Sequence, residues 1–442
     1  MTDFSSLRDP ARPASPDAPA ALNGRELAEL LSPVSCEDFV DRYFARQSLH
    51  VKGHAGKFDH IFSMERLRLA LARGQHIEDP RFNLTASFAG GEKAGSRKPM
   101  FSAQLGEASD LLKSGATICI TNIHMADPFL ARWAQAIRAR LSFTGTVGVN
   151  CYASPDGAGL PMHYDRRVAT TLQIAGKKRW IYSTEAAKRW PDNNATYFEG
   201  RAEPADIDVG TLPDDMAFQE VELNPGDLLC LPAGAWHAAR GVGYSLALNL
   251  YFAPRNLFDQ LAPLLQEFAA SHDSWRGGPP VTLDDAHGNL PDTVSDYMRD
   301  RLAEFQTLVS ETLAGPEAMS SPWLTSLTQG PYTGWQPDPV LPLPAASATD
   351  RFLVVMPPLR FIASGGRVSL PCDNGLLDFP ANFAPILRRL SSEPAGFSIP
   401  DIIAGTQSAD APPQAEVIAH LQTLFRNGII AKSDAPHMAQ QA

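Results

Sequence analysis

The segment LPMHYDRR (residues 160–167) places His163 and Asp165 two residues apart. On an extended strand, residues i and i+2 share a face. One imidazole nitrogen and one carboxylate oxygen can therefore converge on a common point. Such a pair is two of the three groups of a 2-His-1-carboxylate triad, which binds ferrous iron on one side and leaves the other positions open. A third group is offered by NPGDLLCLPAGAWHAARG, with a tight turn at Pro225-Gly226-Asp227, an apolar strand, Pro232 and Gly234, and then His237. In isolation, H-x-D is common on surfaces and His237 beside Trp236 reads as a core histidine; here both occur in one strand-rich segment. Lys178 adds a cation. The run Lys177-Lys178-Arg179 reads by itself as a solvated hairpin end, yet Lys178, Trp180 and Tyr182 alternate onto one face. If that face points inward, the buried ammonium needs an anion, and a dicarboxylate chelating the metal through its far end would supply one.

Strands must position these groups, and the chain changes character to supply them. From about 115 to 254, short apolar or alternating runs recur: ATICITNI, TVGVNCYAS, VATTLQIAG, KRWIYST, DLLCLPAG and SLALNLYFAP. Turn residues (PDGAG, AGKK, NPGD, GVG) separate them, the pattern of an antiparallel sandwich or barrel. Ahead of it, residues 1–22 read as a flexible tail with recurrent proline. Phe39, Tyr43 and Phe44 then share one helical face, and SMERLRLALARG reads as a helix capped by Ser63 and stopped by Gly74. Beyond Pro254, NLFDQLAPLLQEFAA puts Leu257, Leu261, Leu264 and Phe268 on one side with a kink at Pro263. VSDYMRDRLAEFQTLV does the same with Val294, Met298, Leu302, Phe305 and Val309. Residues 315–349, rich in Pro, Gly and Ser, read as a linker. Two short strands (FLVVM, GRVSL) and helices at FAPILRRLSS, SIPDIIAG and AEVIAHLQTLFRNG complete a small mixed, winged-helix-like module. Its last helix carries Val417, Leu421 and Leu424 and ends at Asn427-Gly428.

The 442 residues are 44% hydrophobic and 20% charged, an ordinary globular composition. With 38 basic and 49 acidic residues the net charge is −11, which argues against a general polyanion binder. Residues 346–442 hold seven basic and eight acidic side chains, a poor match to a phosphate backbone. The absence of a long apolar run and of a basic start followed by an apolar stretch predicts a cytoplasmic protein with no membrane span. Five cysteines (Cys36, Cys119, Cys151, Cys230, Cys372) include no C-x-x-C pair, so neither a disulfide framework nor structural zinc is expected. GAGL at 157–160 lacks the strand and helix of a phosphate loop.

Taken together, NCYASPDGAGLPMHYD, LQIAGKKRWIYS, PGDLLCLPAGAWH and NLYFAP resemble the JmjC-type cupin oxygenases, and within them the bacterial ribosomal oxygenase-like (cupin-4) subgroup, which hydroxylates side chains of ribosomal proteins. The resemblance implies an α+β chain with a double-stranded β-helix (jelly-roll) core, N-terminal helices, a helical middle region and a winged-helix-like end. The boundaries it implies are a tail at 1–22, a catalytic domain at 23–254, a helical region and linker at 255–345, and the terminal domain at 346–442. The middle helices form a homodimer interface in that subgroup, although amphipathicity alone suits packing on the chain's own barrel equally well.

By the same resemblance, Fe(II) falls on His163, Asp165 and His237, the distal carboxylate of 2-oxoglutarate on Lys178, and O2 is the second cosubstrate. Asn150 and Tyr152 match positions lining the cosubstrate pocket, where ordinary strand packing is an equal reading, and Asn249 faces it from the last strand. Relatives often carry acidic or polar residues where this chain has Arg166-Arg167, a departure at the substrate mouth. The implied activity is hydroxylation of a protein side chain. Lysine demethylation, RNA-base hydroxylation and a non-enzymatic winged-helix binding role are the alternatives, and the acidic net charge suits a basic protein partner by electrostatic steering.

Overall fold

The computed structural model describes residues 22, 24–88, 100–197, 212, 216–282, 291–312, 351–354, 359–364, 366–372, 375–393, 396–405, 411–427 and 429–432. Nearly all of the expected N-terminal tail and the whole of the expected 315–349 linker lie outside these residues.

Eleven strands form one antiparallel sheet: β1 (Leu49–Val51), β2 (Asn83–Phe88), β3 (Phe101–Ala103), β4 (Ala116–Thr121), β5 (Thr146–Ser154), β6 (His163–Tyr164), β7 (Val168–Ser183), β8 (Ala195–Thr196), β9 (Phe218–Leu223), β10 (Leu228–Leu231) and β11 (His237–Ala253). Their order is β1-β10-β7-β11-β5-β4-β2-β3, with β6 on β11 and β8, and β9 on β7. Neighbours distant in sequence, such as β5 beside β11 and β7 beside β10, are the crossovers by which a jelly roll wraps its sheet.

Period-two alternation sorts the side chains of the central strands. Val147, Val149, Cys151 and Ala153 of β5 join Leu246, Leu248, Leu250 and Phe252 of β11 in the main hydrophobic core. Asn150 and Tyr152, with Asn249 and Tyr251, therefore point to the opposite, inner face.

Two expected turns prove to be interior to strands. VATTLQIAG and KRWIYST are one 16-residue strand, β7, and GVG lies within the 17-residue β11. The pairing of these strands shifts register between Val242 and Ser245, opposite Lys177 and Gly176. The irregularity is a bulge, which lets both strands bend without ending. Gly176 has φ +63°, and a Cβ there would lie 1.9 Å from the Tyr244 carbonyl oxygen. Gly176→Ala is expected to lower stability by about 2 kcal/mol or more and the thermal midpoint by roughly 4–8 °C. A melting curve that matches the parent would remove the bulge from this role.

The N-terminal region braces the site-bearing strands. The helix Met64–Gly74 is capped by Ser63, whose Oγ accepts the Arg66 N–H, but Gly74 is its last residue rather than its stop, and Gln75 caps it. Cys36–Asp38 passes into a π-helical turn over Phe39–Tyr43, so the expected simple helical face becomes a wider winding. Phe44 stands edge-on to Phe143 and Phe252, at 5.9 and 5.1 Å between ring centres. Each such pair contributes about 0.5–1.5 kcal/mol beyond area burial, and Phe252 ties this cluster to β11. Asp227, in the Pro225-Gly226-Asp227 turn, accepts N–H groups of Gly53 (2.8 Å) and Asn224 (2.9 Å), which pins the turn that launches β10. A side chain at Gly226 (φ +93°) would collide with the His54 carbonyl.

The helix Leu257–Ser271 runs through Pro263 as one element, and Asp292–Thr312 follows. Leu257, Phe258, Met298 and Leu302 are 63%, 70%, 50% and 61% exposed, so they do not pack onto the chain's own barrel. The C-terminal residues build a separate core around Phe352, Val368, Phe383, Leu387 and Leu421. Helices lie at Ala384–Ser391, Ile399–Ala404 and Gln414–Arg426, where the amphipathic patterns predict them. Five strands occur there instead of two: Phe352–Val354, Ile362–Ser364, Arg367–Cys372, Gly375–Pro380 and Ile430–Lys432. Three of these are only three residues long, and Gly375–Pro380 hides between a glycine and a proline that read as turn residues. Among the described residues no helix is long and apolar enough to cross a membrane.

Candidate metal centre

The H-x-D pair converges for a reason other than strand periodicity alone. β6 is only His163–Tyr164, and Asp165 lies just past its end. Its placement comes from β11 and the turn that leads into it. His163 is the direct cross-strand partner of His237, and the Gly234 N–H donates to the Asp165 carbonyl at 2.8 Å. One ligand atom from each of His163, Asp165 and His237 lies within 4.8 Å of the others.

Each imidazole is oriented by its own backbone. His163 Nδ1 donates to the Pro161 carbonyl at 2.7 Å, and His237 Nδ1 to the Ala235 carbonyl at 2.9 Å. A carbonyl can only accept, so the proton sits on Nδ1 and the Nε2 lone pair is free for a metal. The ring centres are 4.2 Å apart, and His237 Nε2 is 4.0 Å from the nearer Asp165 carboxylate oxygen. Burial, reinforced by His163, holds His237 below the ordinary imidazole range and so keeps it neutral. Burial raises the Asp165 carboxyl, but His163, His237 and Arg167 outweigh it and leave the group ionised. Two imidazole nitrogens and one carboxylate are the donor set that suits a first-row divalent metal. Trp236, fully buried, packs on Tyr164 at 4.8 Å, so the core role belongs to Trp236 and not to its neighbour.

Of the three consecutive cations only the middle one faces inward. Lys177 and Arg179 reach Glu222 on the outer face, at 3.0 and 4.0 Å. Lys178 is 5% exposed. Its Nζ lies 5.4 Å from the Tyr152 ring centre and 5.8 Å from that of Trp180, with no ion-pair partner among the described residues. Burial pushes this amine down to about 8.

Asn150 and Asn249 are direct cross-strand partners on the inner face. Asn150 Oδ1 accepts the Asn122 N–H at 3.0 Å, a structural tie, whereas Asn249 Oδ1 is buried without a partner. Tyr152 pairs across the sheet with Cys119, and burial holds its phenol well above the ordinary range. Cys119, Cys151 and Cys230 are buried free thiols and Cys36 is a half-buried one; the Cys372 side chain is outside the described residues.

Two residues here, Tyr251 and Asn122, are not singled out by the sequence motifs, and Arg167, noted there only as a departure at the substrate mouth, lies against them. The Tyr251 hydroxyl donates to Asn122 Oδ1 at 2.6 Å, and Asn122 sits in the left-handed region (φ +56°). The Arg167 guanidinium lies 4.2 Å over the Tyr251 ring. Period two carried one step past Asp165 reaches Arg167, and one step past Asn249 reaches Tyr251. Asn122, which comes from the loop after β4, carries no such signal.

The fold and this centre define a cupin jelly roll with a facial His/Asp/His set inside it. Residues 123–259 match the family model of the JmjC domain. The chain is 24% identical over 272 residues to the protein YxbC of Bacillus subtilis, covering 58% of this chain and 79% of that one. It is 28% identical over 308 residues to ribosomal oxygenase 2 of Rattus norvegicus, covering 66% of this chain and 61% of the rat protein. The bifunctional lysine-specific demethylase and histidyl-hydroxylase NO66 of Aedes aegypti is 24% identical over 307 residues, of which this chain spans 46%. Among solved structures, YcfD, a ribosomal oxygenase from Escherichia coli in complex with cobalt and 2-oxoglutarate, superposes with a TM-score of 0.55 at 16% identity, over 91% of this chain and 99% of that one.

Proposed function

We propose that the chain is an Fe(II)- and 2-oxoglutarate-dependent oxygenase that hydroxylates a protein side chain, with a ribosomal protein as the first candidate. The observation that carries this reading is the pair of Nδ1-anchored imidazoles facing one ionised carboxylate within 4.8 Å. The relatives named as ribosomal oxygenases, and the cobalt and 2-oxoglutarate in the YcfD complex, support it.

In this reading His163, Asp165 and His237 hold the iron, and Lys178 pairs with the distal carboxylate of 2-oxoglutarate. Iron with 2-oxoglutarate and O2 supplies oxidative decarboxylation to succinate and carbon dioxide, coupled to insertion of one oxygen atom into a substrate C–H bond. The chain's own residues bind, orient and shield. The backbone carbonyls of Pro161 and Ala235 fix both ring tautomers. Trp180 and Tyr152, whose ring centres lie 5.8 and 5.4 Å from Lys178 Nζ, limit water beside it, which strengthens the ion pair.

We further propose the division into a catalytic domain at 23–254, a helical region at 255–345 and a winged-helix-like domain at 346–442, with the exposed Leu257, Met298 and Leu302 stripe pairing two copies. The buried free thiols suit a reducing cytoplasm.

Intact masses of ribosomal proteins from cells with and without this gene test the substrate. One protein heavier by a single oxygen atom when the gene is present is the expected result; identical masses throughout would remove ribosomal proteins as the target. The NO66 name keeps lysine demethylation as a second reading. Formaldehyde release and loss of a methyl group, in place of a gain of oxygen, would identify it.

A further inference from the structure

Beside the metal centre the chain builds a rim from residues 184–194, which join β7 to β8. Both ligand-bearing segments hold it. The Ala187 N–H donates to the Gly234 carbonyl at 2.9 Å, and the Arg166 N–H donates to Asn194 Oδ1 at 2.9 Å. The Lys188 carbonyl lies so close to Gly234 that a Cβ there would come within 1.9 Å of its oxygen. Gly234 and Arg166 are in turn joined to Asp165, the first through its N–H and the second through the chain. On this rim Trp190 is 50% exposed and has φ +48°. A bulky residue in the left-handed region is an outlier. Pro191 follows it, and proline favours extended backbone in the residue before it. Such strain persists only where the surrounding structure imposes it, and it concentrates at functional sites.

Trp190 lines a cleft of about 830 Å³, together with Arg166, Pro191, Pro254, Arg255 and Asp259. The cleft therefore runs from the residue after Asp165 to the first turn of the helix Leu257–Ser271. Its volume suits a ligand of drug size, which for a polypeptide means a few residues. The charged residues of its lining are two of each sign, and each is engaged within the chain. Arg166 Nη1 reaches the Asp192 carbonyl at 3.5 Å, and Arg255 Nη2 donates to the Asp259 carbonyl at 3.0 Å. The Asp192 carboxylate lies 3.8 Å from Lys188 Nζ, and the Asp259 carboxylate accepts the Asn256 N–H at 3.1 Å. A polyanion would need uncompensated cations here, and a basic segment would need uncompensated carboxylates. The lining that remains for a ligand is apolar: the Trp190 ring, Pro191 and Pro254.

We infer that this cleft docks the stretch of substrate polypeptide flanking the hydroxylated residue, and that Trp190 anchors one of its large apolar side chains. The inference deepens the protein-hydroxylase reading above and rests on it. Tryptophan offers a large, rigid contact surface at low cost in side-chain entropy, and it dominates recognition surfaces for that reason. A strained backbone that holds such a ring half in water has no explanation in core packing. Because the cleft begins at Arg166, next in the chain to Asp165, its occupant lies beside the target residue and not at a remote site.

Zinc(II) in place of iron, with saturating 2-oxoglutarate, gives a protein that does not turn over and leaves NMR lines sharp. The probes are acetyl-glycyl-leucyl-glycinamide, acetyl-glycyl-arginyl-glycinamide and an oligouridylate. The leucyl methyl protons should receive saturable magnetisation transfer from the protein. Trp190→Gly should weaken that binding by about tenfold or more, and Trp190→Phe by much less. Glycine adopts φ +48° without strain, so Trp190→Gly should melt no lower than the parent; a lower midpoint would make the ring a packing residue. No saturable transfer to the leucyl peptide, or transfer that ignores Trp190→Gly, would overturn the inference. Trp190-dependent binding of the arginyl peptide or the oligouridylate as tight as that of the leucyl peptide would do the same. So would binding that fades as protein concentration rises, since a second copy would then fill the cleft. Failure of the parent protein to bind zinc and 2-oxoglutarate in calorimetric titration would instead overturn the reading on which the inference rests.

Discussion

His163→Ala and His237→Ala should each reduce succinate formation from 2-oxoglutarate by at least about a thousandfold. Loss of a group that merely orients a metal ligand lowers affinity or activity by about 10–100-fold; loss of the ligand itself must exceed that. The two substitutions should be nearly equivalent, since His163 and His237 are direct cross-strand partners with matched Nδ1 anchors. Neither should unfold the barrel. His163 is only half-buried, and the core beside His237 is filled by Trp236. Calorimetric titration with Co(II) should show the loss of metal binding directly, alongside an unchanged melting curve of the metal-free protein. Normal succinate formation by His163→Ala would end the triad assignment.

The chemistry-bearing residues were more legible than the elements that carry them. H-x-D and the PGD…P-x-G-x-x-H segment are short and local, and each contains what it needs. Asp227 closes its own turn, and Pro232 and Gly234 deliver His237. Period two sets Lys178 on the opposite face from Lys177 and Arg179, but by itself it does not say which face turns inward. Strand lengths could not be read, because Gly176 and Gly243 look like turn residues while serving a bulge; whether a glycine ends a strand or bends it depends on the partner strand, here on Tyr244. Nor could the stacking partner of Arg167 be read. Its position relative to Tyr251 is set by the pairing of β7 with β11, where Ala169 opposes Tyr251, a long-range register with no local signature. The alternation that placed Leu302 and Met298 on one helical stripe was correct as pattern, yet pattern cannot say what covers a stripe, and both residues are exposed.

Lys178→Met should produce two effects of opposite sign. The amine is lowered from its ordinary value of 10.5 to about 8 by burial. Between those values the unfolded chain binds more protons than the folded one, so stability rises with pH through that window. Below about 8 the full penalty of the buried charge is present. That penalty is about 3 kcal/mol at 1.36 kcal/mol per pK unit, taken as an order of magnitude. A methionine of similar length removes it. The cosubstrate-free variant should therefore be more stable than the parent at pH 7, and the difference should shrink as pH approaches 10. Binding should move the other way. Removing one partner of a buried charge pair costs about 2–5 kcal/mol, so the KM for 2-oxoglutarate should rise by about 100-fold or more, and 2-oxoglutarate should no longer raise the melting temperature. A merely structural lysine would give neither the gain in stability nor the loss of cosubstrate. If Lys178→Met kept the parent KM, the distal carboxylate would have to sit elsewhere, with Arg167 over Tyr251 as one cation that could hold it.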